Sequence, residues 1–116
     1  MPKVQIDMAD TKYAETLREA LSKDWAFSGW QVQRVQSPDL HQKGVIVLDT
    51  NAFDRLEPLL AHPERVVLIA PNDPRRLSRA WDAGIDSVVF EKDPLSTLMM
   101  AILAARFRAH RSRPKG

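Results

Sequence analysis

Hydrophobic and polar residues follow two alternating periodicities along this chain. Short apolar runs, typical of buried strands, alternate with segments whose apolar residues recur every three or four positions, as on one face of a helix. Five strands are predicted: two from apolar runs at residues 45–48 and 66–70, two from alternating apolar and polar residues at 3–8 and 30–35, and a short one at 87–90. The helical spacing predicts helices at residues 11–23, at 74–83 and from residue 95 onward. This order of elements indicates a parallel sheet with right-handed crossovers and helices on both faces.

The boundaries of these helices are marked by short polar signals. Asp10, Asp73 and Asp93 stand where a side-chain oxygen can accept a hydrogen bond from a free backbone N–H at a helix start. A proline follows Asp73 and Asp93, in the position where the first turn tolerates it, and Gly84 stands where the helix at 74–83 would end.

Two connections in this pattern are too short or too irregular for ordinary helices. Nine residues separate Val35 from Val45, fewer than the dozen or so that a helical crossover needs, so the second helix is predicted to be a single turn or absent. Pro58 interrupts the segment 52–61, which predicts a kinked helix or one that starts near Glu57. The first strand alternates apolar and polar residues. One face of the sheet is therefore predicted to be thinly covered.

Composition adds a single-domain size and an uneven charge distribution. The chain has 116 residues, 44% of them hydrophobic and 28% charged, as in average soluble domains. Residues 1–105 hold 12 cations and 15 anions, a net charge of −3, whereas residues 106–116 hold five cations and no anion. We therefore expect a domain at 1–105 and a basic helix end or tail at 106–116. The mildly acidic body gives no indication of a broad nucleic-acid-binding surface, which would need clustered Lys and Arg residues.

The sequence carries none of the usual signals of export, membrane insertion or catalysis. It has no cysteine, its first ten residues include acids, and its longest uncharged stretch, 94–105, falls short of the roughly 20 apolar residues of a membrane span. Four glycines and three scattered histidines, His41, His62 and His110, form no phosphate loop, catalytic triad or zinc pattern. These features predict a cytoplasmic protein with no enzymatic activity, no cofactor and no membrane contact.

The run 66–105 resembles the fourth and fifth β/α units of bacterial response-regulator receiver domains, the CheY-like superfamily. The likeness rests on an apolar strand, an acid-rich turn, a helix closing on Ala83-Gly84 and a Lys92-Asp93-Pro94 turn before the final helix. Asp49, at the end of the third strand, falls on the family's phospho-acceptor position. The resemblance implies an α/β, flavodoxin-like, doubly wound, five-stranded parallel sheet of order 2-1-3-4-5, with a reduced second helix and a short or kinked third helix.

Other positions depart from the receiver pattern. Met8 and Ala9 stand where receivers carry the acidic pair that holds Mg²⁺, and Ala70 stands where they carry a hydroxyl that binds the phosphoryl group. Pro71, which follows, removes a backbone donor. The family's switch aromatic falls on a valine, Val88 or Val89. These departures predict a degenerate receiver that mediates protein binding or homodimerisation without phosphorylation control.

Asp49 and Lys92 are what remains of the phosphoryl site in this comparison. One interpretation is a vestigial acceptor and phosphoryl contact that now form a structural ion pair. The alternative is a working receiver in which Asp49 is phosphorylated and Mg²⁺ is held by Asp49 with Asp7 or Asp10, since that ion needs only one or two carboxylates. Such a receiver could be the N-terminal part of a DNA-binding regulator.

The elements that match the receiver pattern best are the fourth helix, the fifth strand and the fifth helix of that family, which form the face through which receivers commonly associate. They predict a surface for a second copy or another protein, formed by Arg75, Arg79, Trp81, Asp82, Ser87, Met99 and Arg106. The basic tail has three interpretations: a contact with nucleic-acid phosphates, a linker to an output domain, or a helix end whose cations complement the macrodipole, of which the last is favoured.

Overall fold

The computed structural model describes residues 2–111, with side chains through Arg108. Its centre is a five-stranded, all-parallel sheet of order β2-β1-β3-β4-β5, which confirms the predicted topology. The strands are β1 (Lys3–Asp7), β2 (Gln31–Arg34), β3 (Gly44–Asp49), β4 (Val66–Ala70) and β5 (Ser87–Phe90).

Four α-helices connect or follow these strands. They are α1 (Thr11–Ser22), α2 (Thr50–Leu56), α3 (Pro74–Asp82) and α4 (Leu95–Arg111). Short 3-10 turns lie at Trp25–Phe27, Glu57–Leu59 and Pro63–Arg65. Within residues 2–111, no helix has the length and apolar character required to cross a membrane.

Side-chain hydrogen bonds confirm two of the three predicted helix caps. Asp10 accepts from the Tyr13 backbone N–H at 3.0 Å, and Asp73 accepts from that of Arg75 at 3.0 Å. Asp93 differs from the expectation, because its carboxylate accepts from the Phe90 N–H at 2.9 Å, back toward β5. It therefore closes the turn before α4.

The two faces of the sheet have separate apolar cores, because strand side chains alternate between them. On one face, α1 and α4 cover a cluster that includes Val4, Leu17, Val47, Leu98 and Ile102. On the other face, α2 and α3 cover a smaller cluster of Ile46, Leu48, Ala52, Phe53, Leu56, Val66, Leu68, Ala70, Ala80 and Ile85.

The second face is thinly covered beside β1, as the sequence predicts. The described chain between β2 and β3 forms turns without a helix. Gln5, 4% exposed in β1, holds this connection: its Nε2 donates to the Asp39 carbonyl at 2.9 Å, and its Oε1 accepts from the Asp39 N–H at 2.8 Å. A buried amide satisfied by a loop therefore explains the polar position in a central strand.

The helix predicted between β3 and β4 is short, as expected, but the alternative in which it starts near Glu57 is wrong. Helix α2 begins at Thr50, directly after β3, and ends at Leu56, before Pro58 enters the next 3-10 turn. Its start is fixed by Asp49, whose side chain accepts a hydrogen bond from the Ala52 N–H. Its inner side is fixed by Phe53 and Leu56, which are both buried.

Candidate functional site

The carboxyl ends of β1 and β3 form one wall of an open cavity of about 640 Å³. Parallel strands that lie side by side end at the same sheet edge, so the terminal residues Asp7 and Asp49 both face this space. The cavity is lined by Ile6, Asp7, Met8, Ala9, Thr11, Arg34, Val35, Gln36, Asp49, Asn51, Ala52 and Arg55.

Both carboxylate oxygens of Asp49 accept backbone hydrogen bonds. Oδ1 accepts from the Ala52 N–H at 2.9 Å, which caps α2, and Oδ2 accepts from the Ala9 N–H at 2.8 Å. Asp49 thereby joins the start of α2 to the loop that follows β1. The position expected for a phospho-acceptor is thus a junction between two backbone segments.

Asp7 is paired with a cation from the same chain. Its side chain is 11% exposed, and its Oδ2 lies 2.8 Å from Nη2 of Arg55, which is half exposed. The Nη1 of Arg55 donates to the Gln36 carbonyl at 3.2 Å. One guanidinium therefore links α2, the end of β1 and the segment after β2.

Arg55 was not among the site residues predicted from the sequence, although its helical spacing from two other cavity residues could have identified it. Arg55 stands three and four residues after Ala52 and Asn51, so all three share one side of a helix that starts at Thr50. A helix expected to start near residue 52 or 57 conceals this register. Asp54, the neighbour of Arg55, faces away from the cavity and pairs with α3.

The predicted ion pair between Asp49 and Lys92 is wrong. Among the described side chains, these two groups do not approach within 4 Å, and Lys92 is exposed in the turn after β5. The carboxylate of Asp49 is satisfied by backbone N–H groups, which removes the need for a lysine partner.

Ala70 is fully buried, and its carbonyl accepts from the Glu91 N–H at 3.0 Å.

Each carboxylate considered for Mg²⁺ already has a partner within the chain. Asp7 is paired with Arg55, Asp49 accepts two backbone N–H groups, and Asp10 caps α1. Across the described residues, no group of three or more acidic, histidine or cysteine side chains could hold a metal ion.

Tyr13, near Asp10, has a raised pKa, mainly because of its burial and further because of Asp93 and Asp10.

Comparisons with known proteins agree with this architecture. No protein-family model matches the sequence, and no curated protein matches it. Among solved structures, the chain is similar to the non-phosphorylated HemR receiver domain from Leptospira biflexa, with a TM-score of 0.75, 15% identity and complete coverage of both chains. The chain has the receiver-domain fold.

Further solved structures share this receiver fold. A CheY-like receiver domain protein from Methanospirillum hungatei matches with a TM-score of 0.70 and 12% identity, covering 96% of this chain and 98% of the other. A response regulator from Burkholderia pseudomallei, solved with a phosphorylated aspartic acid, a calcium ion and citrate, matches with a TM-score of 0.68 and 16% identity. The match covers 96% of this chain and 70% of that one.

The residues predicted to form one interaction surface lie on different sides of the molecule. Trp81 is 73% exposed and, with Asp82, lies beside a groove of about 470 Å³ between α3 and the edge strand β5. Arg79 lies on another side of α3, where it and Arg76 bind Asp54 of α2 at 3.2 and 2.8 Å. The hydrogen bond to Asp54 raises the pKa of Arg76. Arg75 is exposed at the start of α3.

Three other residues expected on that surface lie elsewhere. Ser87 is buried and accepts a hydrogen bond from Arg108, because it faces α4. Met99 packs against the core, and its neighbour Met100 is the exposed one. Arg106 packs over the rings of Phe27, Trp30 and Phe107 at 5.8, 5.3 and 5.6 Å, away from Trp81.

The expected basic tail is described only in part. Helix α4 continues without a break through Arg106 and Arg108 to Arg111. Arg113 and Lys115, which complete the basic segment, lie outside the described residues. The three interpretations of this segment remain predictions.

Proposed function

We propose that this protein is a signalling module that acts through protein binding and without phosphorylation at Asp49. It uses the receiver fold as a binding scaffold and performs no enzymatic reaction. A cytoplasmic location belongs to the same proposal. The observation that carries it is the bonding of Asp49, whose two carboxylate oxygens each accept a backbone N–H.

Phosphorylation would act against this arrangement. Attaching a phosphoryl group to one oxygen of Asp49 forms an acyl phosphate and weakens that oxygen as an acceptor, so the N–H of Ala9 or Ala52 loses its charged partner. A hydrogen bond to a charged group contributes about 1.5–3 kcal/mol to stability, and part of that contribution would be lost. Transfer of a phosphoryl group also requires cations that balance its charge. This cavity presents Met8 and Ala9 where receivers carry acidic metal ligands, and its two arginines, Arg34 and Arg55, are paired with Glu15 and Asp7.

Incubation with acetyl phosphate and Mg²⁺, followed by intact-mass measurement and peptide mapping, tests the proposal. We expect no phosphoryl adduct on Asp49 in the unmodified protein, and likewise no adduct in Asp49→Asn. An adduct that maps to Asp49 and is absent from Asp49→Asn contradicts the proposal. That outcome supports the alternative of a phosphorylatable receiver.

The groove between α3 and β5 is our candidate for the binding surface. Leu77, Trp81, Val88 and Phe90 provide its apolar lining, and Asp82 and Asp86 add negative charge. An exposed tryptophan beside a partly apolar groove is the type of residue that dominates binding energies at protein interfaces. A second copy of the chain or a different protein would contact this side of α3.

Replacing Trp81 with alanine should weaken self-association about tenfold or more, as expected for a tryptophan anchor. The fold should be retained, because the side chain is mostly exposed. Sedimentation over a concentration series measures the effect. Trp25→Ala is the matched control, since Trp25 is 88% exposed and lies in the turn after α1, outside the groove.

Two results would contradict self-association through the groove. The first is an unmodified chain that remains monomeric at the highest concentration, which leaves only a different protein as partner. The second is an equal loss of association in the Trp25→Ala and Trp81→Ala variants, because that would place the contact elsewhere.

A further inference from the structure

The charge balance of the cavity at the ends of β1 and β3 is provided by the chain itself. Two carboxylates, Asp7 and Asp49, line this space together with two guanidinium groups, Arg34 and Arg55. Arg34 is directed to α1, where its Nη1 lies 3.5 Å from the Glu15 carboxylate. Arg55 is the cation that binds a carboxylate at the cavity wall.

We infer that Arg55 is a resident counter-ion that makes this cavity independent of divalent cations. Its guanidinium neutralises the buried Asp7 and is itself anchored at a second point, the Gln36 carbonyl. A metal ion that bound Asp7 would have to displace this guanidinium. The inference concerns metal binding and goes beyond the proposed signalling role.

Burial makes that displacement unfavourable. The side chain of Asp7 is 11% exposed, so its charge is largely removed from water and depends on a partner within the protein. Arg55 is half exposed and could swing into solvent, but it would leave the Gln36 carbonyl at the same time. An arginine retained nearby also repels an incoming divalent ion.

The arrangement predicts a gain of metal binding when the positive charge is removed. In Arg55→Gln, Asp7 loses its cation, and the described residues that line the cavity then include two carboxylates and one cation, Arg34. Opposite charges within a few ångströms of an incompletely solvated carboxylate attract strongly, so affinity for a divalent ion should rise about tenfold or more. Arg55→Lys keeps the charge and should not show this gain.

A titration with Mn²⁺, followed by electron paramagnetic resonance of the free ion, measures the effect on the full chain. Arg76→Gln is the matched control, because Arg76 forms an equivalent 2.8 Å bond to an aspartate, Asp54, on the outer side of α2. Both variants remove one surface-accessible cation and change the net charge equally. Arg55→Ala provides a second variant, and circular dichroism verifies that each variant folds.

We expect Mn²⁺ to bind Arg55→Gln and Arg55→Ala at least about tenfold more tightly than it binds the unmodified protein, Arg55→Lys or Arg76→Gln. The inference is overturned if the unmodified protein binds Mn²⁺ as tightly as Arg55→Gln, or if neither folded neutral variant gains affinity. An equal gain in Arg76→Gln also overturns it, since net charge would then explain the effect. Phosphorylation of Asp49 is measured separately and can fail or succeed without changing this result.

Discussion

Gly44→Ala is expected to destabilise the protein by about 3 kcal/mol or more, a large part of the stability of a domain this size. Gly44 begins β3 with a φ of +128°, a conformation that side chains with a Cβ rarely adopt. An added Cβ would also overlap the Lys3 carbonyl oxygen, which is backbone in the adjacent strand β1. Because β1 is paired on both sides, by β2 and β3, this backbone cannot shift without disturbing the sheet.

Urea unfolding followed by circular dichroism measures this loss. Gly29→Ala is the matched control: Gly29 also has a positive φ, of +84°, but its added Cβ would meet no atom within 4 Å. That variant should lose only about 1–2 kcal/mol, the cost of the backbone conformation alone. Equal losses in the two variants would show that the contact with Lys3 is unimportant.

Phe53→Ala is expected to reduce the free energy of unfolding by about 3–5 kcal/mol, the range found for large aromatic deletions in cores. Phe53 is 2% exposed and lies in the smaller of the two apolar clusters. It holds α2, a helix of seven residues, against β3 and β4. Its loss should therefore also loosen the helix that carries Arg55 and is capped by Asp49.

Thermal and chemical unfolding of Phe53→Ala and Phe107→Ala provide the comparison. Phe107 is 53% exposed on α4, so its removal should cost less than about 1 kcal/mol, including its contact with Arg106. A loss at Phe53 no larger than that at Phe107 would contradict the role of the smaller cluster in fixing α2.

The sheet could be predicted from the sequence because its signals are local. The apolar runs at β3 and β4 and the capped helices α1 and α3 depend on neighbouring residues, and strand alternation with helices restricts the topology. The thin cover beside β1 was also readable, from Gln5 and the short connection before β3. The loop contact that satisfies Gln5 was not, since Asp39 lies 34 residues away.

The site could be predicted only as a location. The end of β3 identified Asp49, but the bonds of its carboxylate depend on where α2 starts, and Thr50 and Asn51 give no hydrophobic signal for that start. The pair formed by Asp7 and Arg55 spans 48 residues and exists only once β1 and β3 are side by side. The residue types alone could not predict this pair, because the direction of Arg55 depends on where α2 starts.

The position of the interaction surface shows the same limit. The resemblance to receivers grouped Trp81, Ser87 and Arg106, because their elements form the face through which receivers commonly associate. Which side of each element a residue faces was decided by packing: Trp81 is exposed, Ser87 faces α4, and Arg106 packs over Trp30. The order of the elements does not predict which residues share a surface, because each helix has one side that faces the core and another that faces solvent.

We propose that the Asp49 carboxylate is a structural junction that accepts no phosphoryl group. The most direct measurement is the amide proton–nitrogen NMR spectrum with and without Mg²⁺ and beryllofluoride, an inorganic mimic of a phosphoryl group on a carboxylate. We expect the amides of Ala9 and Ala52, which donate to Asp49, to keep their positions when beryllofluoride is added to a sample that already contains Mg²⁺. Saturable shifts of these two amides that require both reagents would contradict the claim.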